Sequence, residues 1–283
     1  MTAPNSPMPP LPPGATPTVV GSIRQAARAT DIDFGLLMAQ AQQESGFQAD
    51  AKASGSSATG LFQFIDSTWL GLVRQFGDKY GAGALAQQIT TDGAGRASVA
   101  DPATRQKILD LRKDPRLSAA LAAENARLNK GALEQALGRE AGNADLYMAH
   151  FLGAGGATTF LKAVSSAGST VAADLLPDAA AANRTVFYDD RTGRARSVAE
   201  IYQSFSSKIA ADAQRLTSAA PLANAPAASA ESPAFIRSLS FDGHRLTPAM
   251  AAMLNVFAVS ALKLLGDGPS PALPRPVTGR RSI

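Results

Sequence analysis

Apolar residues recur at spacings of three and four through most of the chain between Val19 and Thr217, which is the pattern of amphipathic helices. Several capping signals precede these repeats. Asp33 can cap the helix that follows it, and Asp101 and Asp114 each stand before a proline at the first helical position. The predicted helices are the one after Asp33, the one from Asp66 to Phe76, the two after Asp101 and Asp114, and the segments Leu117–Asn129, Ala144–Leu152, Ala157–Ser165 and Ser197–Leu216.

Strand-like sequence is confined to Thr185–Ala195, where TVFYDDRTGRA places Arg191-Thr-Gly as a tight turn. A small hairpin is predicted there. Alanine dominates the apolar residues, and it has the highest intrinsic helix propensity. The predicted fold class is therefore mainly α, with at most one small hairpin.

Shifts in composition divide the 283 residues into five segments. Low-complexity Pro- or Ala/Pro/Ser-rich sequence flanks the helical region on both sides. Beyond the second of these stretches, apolar side chains again recur at helical spacing. The predicted segments are a disordered Pro-rich N-terminus (1–18), one helical domain (19–217), an Ala/Pro/Ser linker (218–245), a tethered amphipathic helix (246–265) and a disordered tail (266–283).

Composition and charge exclude several classes of protein. Hydrophobic residues make up 45% of the chain, enough for a packed core over much of its length. The net charge of +4 would suit an anionic polymer but is far below a nucleic-acid-binding signature. There is no cysteine, and His150 and His244 have no metal-ligand spacing. Neither a metal nor another cofactor is predicted.

Targeting and membrane signals are also not recognised in the sequence. The first 17 residues lack the basic region and the continuous apolar region of a Sec signal. The most hydrophobic stretch, Met250–Leu265, is interrupted by Asn255, Ser260 and Lys263. It is shorter than the roughly 20 apolar residues of a spanning helix, so no transmembrane span is predicted.

Three segments carry residue types suited to carbohydrate chemistry. Taken alone, each has an ordinary structural explanation, such as a solvated glutamate, a core amide, a core histidine or a glycine-rich turn. Glu44 lies at the end of a helix that packs into the core, and an apolar setting there would favour the protonated carboxyl that a general acid needs. The segments are Gln43-Glu44-Ser45-Gly46-Phe47, the loop from Ser54 to Gly60-Leu61-Phe62-Gln63-Phe64, and Tyr147-Met-Ala-His150-Phe-Leu-Gly153-Ala-Gly155-Gly156.

In this order, the three segments resemble the lytic transglycosylases related to goose-type lysozyme. Glu44-Ser45 is identical to the family's Glu-Ser pair at the end of a buried helix, and Gly60-Leu61-Phe62-Gln63 is similar to its Gly-Leu-Met-Gln. Ser54 stands at the position of the family's loop serine. The resemblance covers residues 19–161, and more loosely those to 216, and implies a lysozyme-like helical domain.

The third segment departs from the family pattern. His150 stands where the family generally has a tyrosine, and Phe151 where it has an asparagine. His150 could replace the tyrosine as a hydrogen-bond donor, or Tyr147 could reach the glutamate from one helical turn earlier. The His-Phe-Leu-Gly version looks like a variant of some phage-associated and proteobacterial members. Residues 78–112 are interpreted as an inserted segment beside the cleft.

The resemblance implies a peptidoglycan lytic transglycosylase. Glu44 would act as the single acid and base on the β-1,4 bond between N-acetylmuramic acid and N-acetylglucosamine, leaving 1,6-anhydro ends. The implied substrate-binding residues are Ser45, Ser54, Gln63, Phe64, Tyr147 and His150.

Two alternatives remain open at the level of sequence. A muramidase would hydrolyse the same bond and needs a second carboxylate, for which Asp50, Asp66 and Asp92 are candidates by proximity along the chain. A non-catalytic module could keep the fold and bind the wall within an envelope-spanning machine.

The interpretation also makes predictions about partners and location. The substrate is the peptidoglycan glycan strand, so the site of action is the periplasm or cell envelope. Export through a dedicated machine, or delivery with a phage particle, would reconcile that location with the unrecognised Sec signal. The helix at 246–265 is predicted to pack on the domain or on a second copy, or to dock on a flagellar, secretion or phage component.

Overall fold

The computed structural model describes residues 11–219, which fold into α-helices and one two-stranded antiparallel hairpin. Short 3-10 turns lie at Asp78–Tyr80 and Leu111–Lys113. The helices are α1 (Pro17–Thr30), α2 (Phe34–Ser45), α3 (Asp66–Phe76), α4 (Gly83–Ala86), α5 (Pro102–Asp110), α6 (Pro115–Leu137), α7 (Asn143–Ser166), α8 (Ala172–Leu175), α9 (Pro177–Ala182), α10 (Arg184–Phe187) and α11 (Val198–Ala219), and the strands are β1 (Thr90–Thr91) and β2 (Ala97–Ser98).

Aspartate caps begin three of these helices, as the sequence predicts. The Asp33 carboxylate accepts a hydrogen bond from the Leu36 backbone N–H at 2.7 Å. Asp101 accepts one from Thr104, and Asp114 accepts one each from Arg116 and Leu117. Each cap satisfies backbone N–H groups that the first helical turn leaves without partners.

The core forms around α2, which is buried along most of its length. Leu36, Leu37 and Met38 are fully inaccessible to solvent. The helix packs against α1 and α11, while α6 packs on α1 and α7, and α7 on α11. At Gly35, α2 and α11 approach so closely that a Cβ added to the glycine would lie 2.8 Å from the Ala213 Cβ. The predicted mainly helical fold class is therefore confirmed.

Two predicted helices are a single element in the structure. The segments predicted as Ala144–Leu152 and Ala157–Ser165 both belong to α7, which is broken at Gly153, where φ is 70° and ψ is 162°. Glycine reaches this left-handed conformation without the steric penalty of a side chain. The glycine-rich sequence therefore marks a kink inside α7.

The predicted hairpin at residues 185–195 is wrong for its first half. Val186 and Phe187 lie in α10, because Phe187 is fully buried against the ring of Phe151. Only an isolated bridge between Tyr188 and Ala195 follows. The two-stranded hairpin lies instead at β1 and β2, whose short strands carry too little alternation to be recognised in the sequence.

Thr16 caps α1 at the start of the helical region, and α11 runs to Ala219, the last residue that the structure describes. The predicted segment boundaries remain predictions. The predictions for residues 1–10, for the linker beyond residue 219, for the helix at 246–265 and for the tail lie outside the described residues. Within residues 11–219, no helix has both the length and the apolar character needed to cross a membrane.

A buried carboxylate joins α7 to α11. Asp145 is 1% exposed and accepts hydrogen bonds from the Arg139 guanidinium, the Gly142 backbone N–H and the Tyr202 hydroxyl. Burial alone would raise the pKa of Asp145, but these donors outweigh it and hold the pKa below the ordinary value. Ionised Asp145 therefore stabilises the folded chain.

We expect Asp145→Asn to lower the free energy of unfolding by about 1.5–3 kcal/mol near neutral pH, because the buried carboxylate loses its charge-assisted hydrogen bonds. The pKa of Asp145 is lowered in the folded state. The difference in unfolding free energy between wild type and variant is therefore complete above the unfolded-state pKa of about 3.9. It is lost as pH falls through the pKa of Asp145 in the folded state. Urea unfolding at neutral and at acidic pH measures this difference. The exposed Asp174→Asn is the control and should change stability by less than about 0.5 kcal/mol. An equal loss for Asp145→Asn at both pH values would contradict the prediction.

Candidate active site

A cleft of about 690 Å³, a volume that includes open solvent at its entrance, lies between α2, α6, α7 and the loop that precedes α3. Apolar side chains line part of it, including Phe62, Phe64 and Leu146. Glu44 and His150 lie in the same lining. The cleft therefore brings together residues from all three of the segments that the sequence marks out.

Glu44 is held at the cleft by the way α2 ends. The next residue, Ser45, is the last of the helix, and Gly46 stops it with a φ of 59° and an N–H that donates to the Gln42 carbonyl oxygen at 2.9 Å. Because the preceding turns are buried, the last turn reaches the cleft from inside the domain. Glu44 is consequently only 8% exposed.

His150 contacts the catalytic candidate directly. Its Nε2 lies 2.8 Å from the Glu44 Oε1, although 106 positions separate the two residues in the chain. His150 is on α7, three residues before the kink at Gly153. The structure therefore places a hydrogen-bonding histidine beside Glu44, in the segment where the family pattern has its tyrosine.

Tyr147 lies one turn earlier on α7 than His150 and contacts Gln43, the residue before Glu44. Its hydroxyl donates to the Gln43 side-chain oxygen at 2.6 Å. The centroid of its ring lies 6.2 Å from that of His150 and 5.2 Å from that of Phe205. Burial raises the pKa of Tyr147 well above its ordinary value, and the Glu44 charge adds to this. The phenol therefore remains a neutral donor to Gln43.

The loop from Ala51 to Phe64 carries the second segment. Gln63 is 3% exposed and has a φ of 46°, a conformation that is uncommon outside glycine. Its amide nitrogen donates to the carbonyl oxygens of Ala51 and Gly60 at 3.0 and 2.8 Å. The Gln63 side-chain oxygen is buried and has no hydrogen-bond partner among the described residues, and the residue lies in the cleft lining.

Ser45 and Ser54 lie outside the residues that line the cleft. Ser45 is buried, and its hydroxyl donates to the Leu61 carbonyl oxygen at 2.9 Å, which ties the end of α2 to the loop. Ser54 is exposed at the outer part of the loop. Of the six proposed substrate-binding residues, Gln63, Phe64 and His150 face the cleft.

Arg112 supports the loop and was not recognised from the sequence. The side chain is 6% exposed, and its Nη1 donates to the Ser57 and Phe64 carbonyl oxygens and to the Asp66 carboxylate, at distances of 2.7, 3.0 and 2.8 Å. Its neighbours along the chain give no periodic or motif signal for this role. Arg112 ends the segment interpreted as an insertion, so that segment contributes to the shape of the cleft.

The three aspartates considered as a second carboxylate do not line the cleft. Asp66 pairs with Arg105 and Arg112, Asp92 pairs with Arg96 in the hairpin, and Asp50 is exposed. Among the described residues, Glu44 is the only carboxylate in the lining. Within residues 11–219 there is also no cluster of histidine, aspartate and glutamate able to hold a metal ion.

A mainly helical domain whose cleft holds a carboxylate at the end of a buried helix has the architecture of the lysozyme-like class. Residues 21–87 match the family model described as the transglycosylase SLT domain. Over these residues the chain is similar to the lytic transglycosylases, a family that acts on the peptidoglycan of the cell wall, and the match supports the family resemblance drawn from the sequence. The match includes Glu44, the loop and residues 78–87, whereas the segment with Tyr147 and His150 lies beyond it.

Gly60 allows the loop to approach the 3-10 turn that contains Arg112. Its φ is 89°, and an added Cβ would collide with the Arg112 carbonyl oxygen. We expect Gly60→Ala to lower the free energy of unfolding by at least about 1 kcal/mol and to displace Gln63. The matched control is Gly131→Ala on α6, where an added Cβ meets nothing within 4 Å. That change should stabilise the helix by about 0.5–1 kcal/mol. Equal effects of the two substitutions in urea unfolding would contradict this account of the loop.

Proposed function

We propose that this protein is a lytic transglycosylase that cleaves the β-1,4 bond between N-acetylmuramic acid and N-acetylglucosamine and leaves 1,6-anhydro ends. The observation that carries the proposal is the pair formed by Glu44 and His150 in a cleft with no other carboxylate among the described lining residues. Hydrolysis by the two-carboxylate route would need a second acid roughly 6.5–9.5 Å away. Intramolecular attack by the substrate needs only one.

The first step uses Glu44 as an acid. Its proton passes to the glycosidic oxygen as the bond from that oxygen to C1 of the muramic acid residue breaks. The substrate's own N-acetyl group meets the positive charge that develops at C1. His150, 2.8 Å from the Glu44 carboxyl, holds that carboxyl in a fixed orientation toward the cleft.

The second step returns the proton. Glu44, now a carboxylate, removes the proton from the C6 hydroxyl of the same sugar, whose oxygen bonds to C1 and closes the 1,6-anhydro ring. No water is consumed, and Glu44 ends the cycle protonated. One residue therefore serves first as general acid and then as general base.

The remaining residues are assigned roles by their positions. Gln63 and Phe64 line the cleft and are proposed to contact sugar. Ser45 and Tyr147 act through their neighbours, Ser45 by fixing the loop at Leu61 and Tyr147 by fixing Gln43. Ser54, exposed on the same loop, is proposed to contact the glycan at the outer part of the site.

The protein is proposed to act in the periplasm or cell envelope, where its substrate lies. Export by a dedicated machine or delivery with a phage particle remains a prediction. So does a protein partner for the helix at 246–265, because that helix lies outside the described residues.

We expect Glu44→Gln to reduce the release of muropeptides from purified sacculi by at least about 100-fold, because general acid–base catalysis contributes that much or more. Mass spectrometry should find 1,6-anhydro ends from the wild type and none from the variant. Glutamine keeps the size of the side chain, so the thermal unfolding midpoint should change little.

The other outcomes separate the alternative functions. Digestion in heavy-oxygen water that labels new reducing ends would make the protein a muramidase and would contradict the transglycosylase proposal. No release by the wild type, from sacculi that a control enzyme digests, would favour a non-catalytic wall-binding module.

We expect His150→Ala to slow release by about 10- to 100-fold while Glu44 remains in place, because the carboxyl loses its orienting partner. His150→Gln should recover part of the rate, since an amide can also hydrogen-bond to the carboxyl. The exposed Thr159→Val on the same helix is the control and should leave the rate unchanged. A rate for His150→Ala equal to that of the wild type would contradict an orienting role for the imidazole.

A further inference from the structure

A cluster of aromatic rings joins α11 to the part of α7 that carries His150. The ring centroid of Phe205, on α11, lies 5.2 Å from that of Tyr147 and 5.5 Å from that of Phe151. Both distances are within the range of aromatic contact. Tyr147 and Phe151 are buried, whereas Phe205 is half-buried. The three residues Tyr147, Phe151 and Phe205 are referred to below as the aromatic cluster.

The aromatic cluster flanks His150 on both sides along the chain. Tyr147 and Phe151 are four positions apart, so they project from one face of α7, and Phe205 contacts both. His150 lies between them in sequence and contacts Glu44 of α2. The rotation of α7 about its own axis therefore fixes the direction of the His150 side chain, and contact with Phe205 restricts that rotation.

α11 also holds α2 and α7 in place relative to each other. Few backbone positions of α2 and α7 lie close together, whereas α11 packs closely on both helices. On the α2 side, Gly35 lets the backbones of the two helices approach at Ala213, and the Arg215 guanidinium donates to the Gln42 side-chain oxygen at 2.8 Å. Because α11 is fixed on α2 in this way, Phe205 relates the position of α7 to that of Glu44.

The kink in α7 makes this packing more important at His150. Gly153 has a non-helical backbone, so His150 lies in the last turn before the break. The carbonyl groups in the last turn of a helical segment have no regular partners within that segment. The conformation of this turn therefore depends on side-chain packing, to which Phe151 contributes through its contacts with Phe205 and Phe187.

We propose that Phe205 is a positioning residue for the reaction, which holds His150 against Glu44 through its contacts with Tyr147 and Phe151. Phe205 lies outside the cleft lining and outside the residues that match the family model. It acts on the chemical step only through α7. The proposal rests on the proposed function, because it takes the Glu44–His150 pair as the catalytic acid with its orienting partner.

The first test separates positioning from stability. Initial rates of muropeptide release at increasing concentrations of purified sacculi give kcat and KM for the full chain. Phe205→Ala should lower kcat by about tenfold, because the carboxyl is no longer held in one orientation. KM should stay unchanged, since Phe205 does not line the cleft. Phe205→Tyr keeps the ring and should recover most of kcat.

Leu216→Ala is the matched control for lost packing on α11. Leu216 is fully buried and lies 11 positions after Phe205, about 16 Å further along the helix. This substitution should lower the thermal unfolding midpoint while leaving kcat unchanged, at a temperature where all variants are folded. An unchanged kcat in Phe205→Ala would overturn the proposal, as would an equal loss of kcat in Leu216→Ala.

The second test observes His150 without any need for turnover. The chain contains two histidines, His150 and His244, so a His244→Gln protein assigns the imidazole ¹⁵N resonances of His150. Glu44→Gln gives the position of the Nε2 resonance when the carboxylate partner is absent. At one fixed pH, Phe205→Ala should shift this resonance from its wild-type position toward that reference, whereas Phe205→Tyr and Leu216→Ala should leave it in place.

The two proposals can fail separately. Release of 1,6-anhydro muropeptides by the wild type, with the His150 resonance unmoved in Phe205→Ala, would sustain the reaction and overturn the role of Phe205. A wild type that releases nothing from digestible sacculi would overturn the proposed function. In that case a shift of the His150 resonance in Phe205→Ala would still sustain the structural dependence of the Glu44–His150 contact on Phe205.

Discussion

The burial of α2 is the constraint on which the active site depends. Its sequence places five polar side chains near the end of a helix that is otherwise packed in the core, and each must find a partner or face the cleft. Ser45 donates to the Leu61 carbonyl oxygen of the loop. Gln42 accepts from Arg215 on α11, Gln43 from Tyr147 on α7, and Glu44 contacts His150 on α7. Gln40 lines the cleft together with Glu44. The packing of α7 and α11 on α2 therefore determines which polar groups remain for the substrate.

The loop before α3 depends on a second and separate support. Gln63 adopts a left-handed backbone conformation, which costs about 1–3 kcal/mol and persists only where the surroundings enforce it. Arg112 helps to hold the loop in this conformation by donating to two loop carbonyl oxygens and to Asp66. Ser45 adds a hydrogen bond from the end of α2 to the loop. Strain at Gln63 is thus offset by contacts to residues that take no part in the chemistry.

Much of the site could be predicted from the sequence, and the limits have physical causes. The aspartate caps, the helical repeats and the position of Glu44 at a helix end are local features, and the structure agrees with each of them. The hydrogen bond between Glu44 and His150 joins residues 106 positions apart, so only the family resemblance suggested it. Arg112 gave no signal at all. Gln40 did carry a signal, because its spacing of four from Glu44 puts both residues on the same helix face. A single glutamine in a buried helix cannot be assigned to a cleft, however, until the hydrogen-bond partners of its neighbours are known.

The same helices carry the stability of the domain and the geometry of its chemistry. Asp145, at the start of α7, is hydrogen-bonded to Tyr202 of α11. Within the next two turns of α7, Tyr147 and then His150 contact side chains of α2. Loss of the Asp145 network would consequently loosen the partner of Glu44 as well as the fold. The loop is held through Arg112 instead, so changes there reach Gln63 without passing through α7. The Glu44–His150 pair and the loop are therefore held by different buried networks, which meet where the Ser45 hydroxyl donates to the Leu61 carbonyl oxygen.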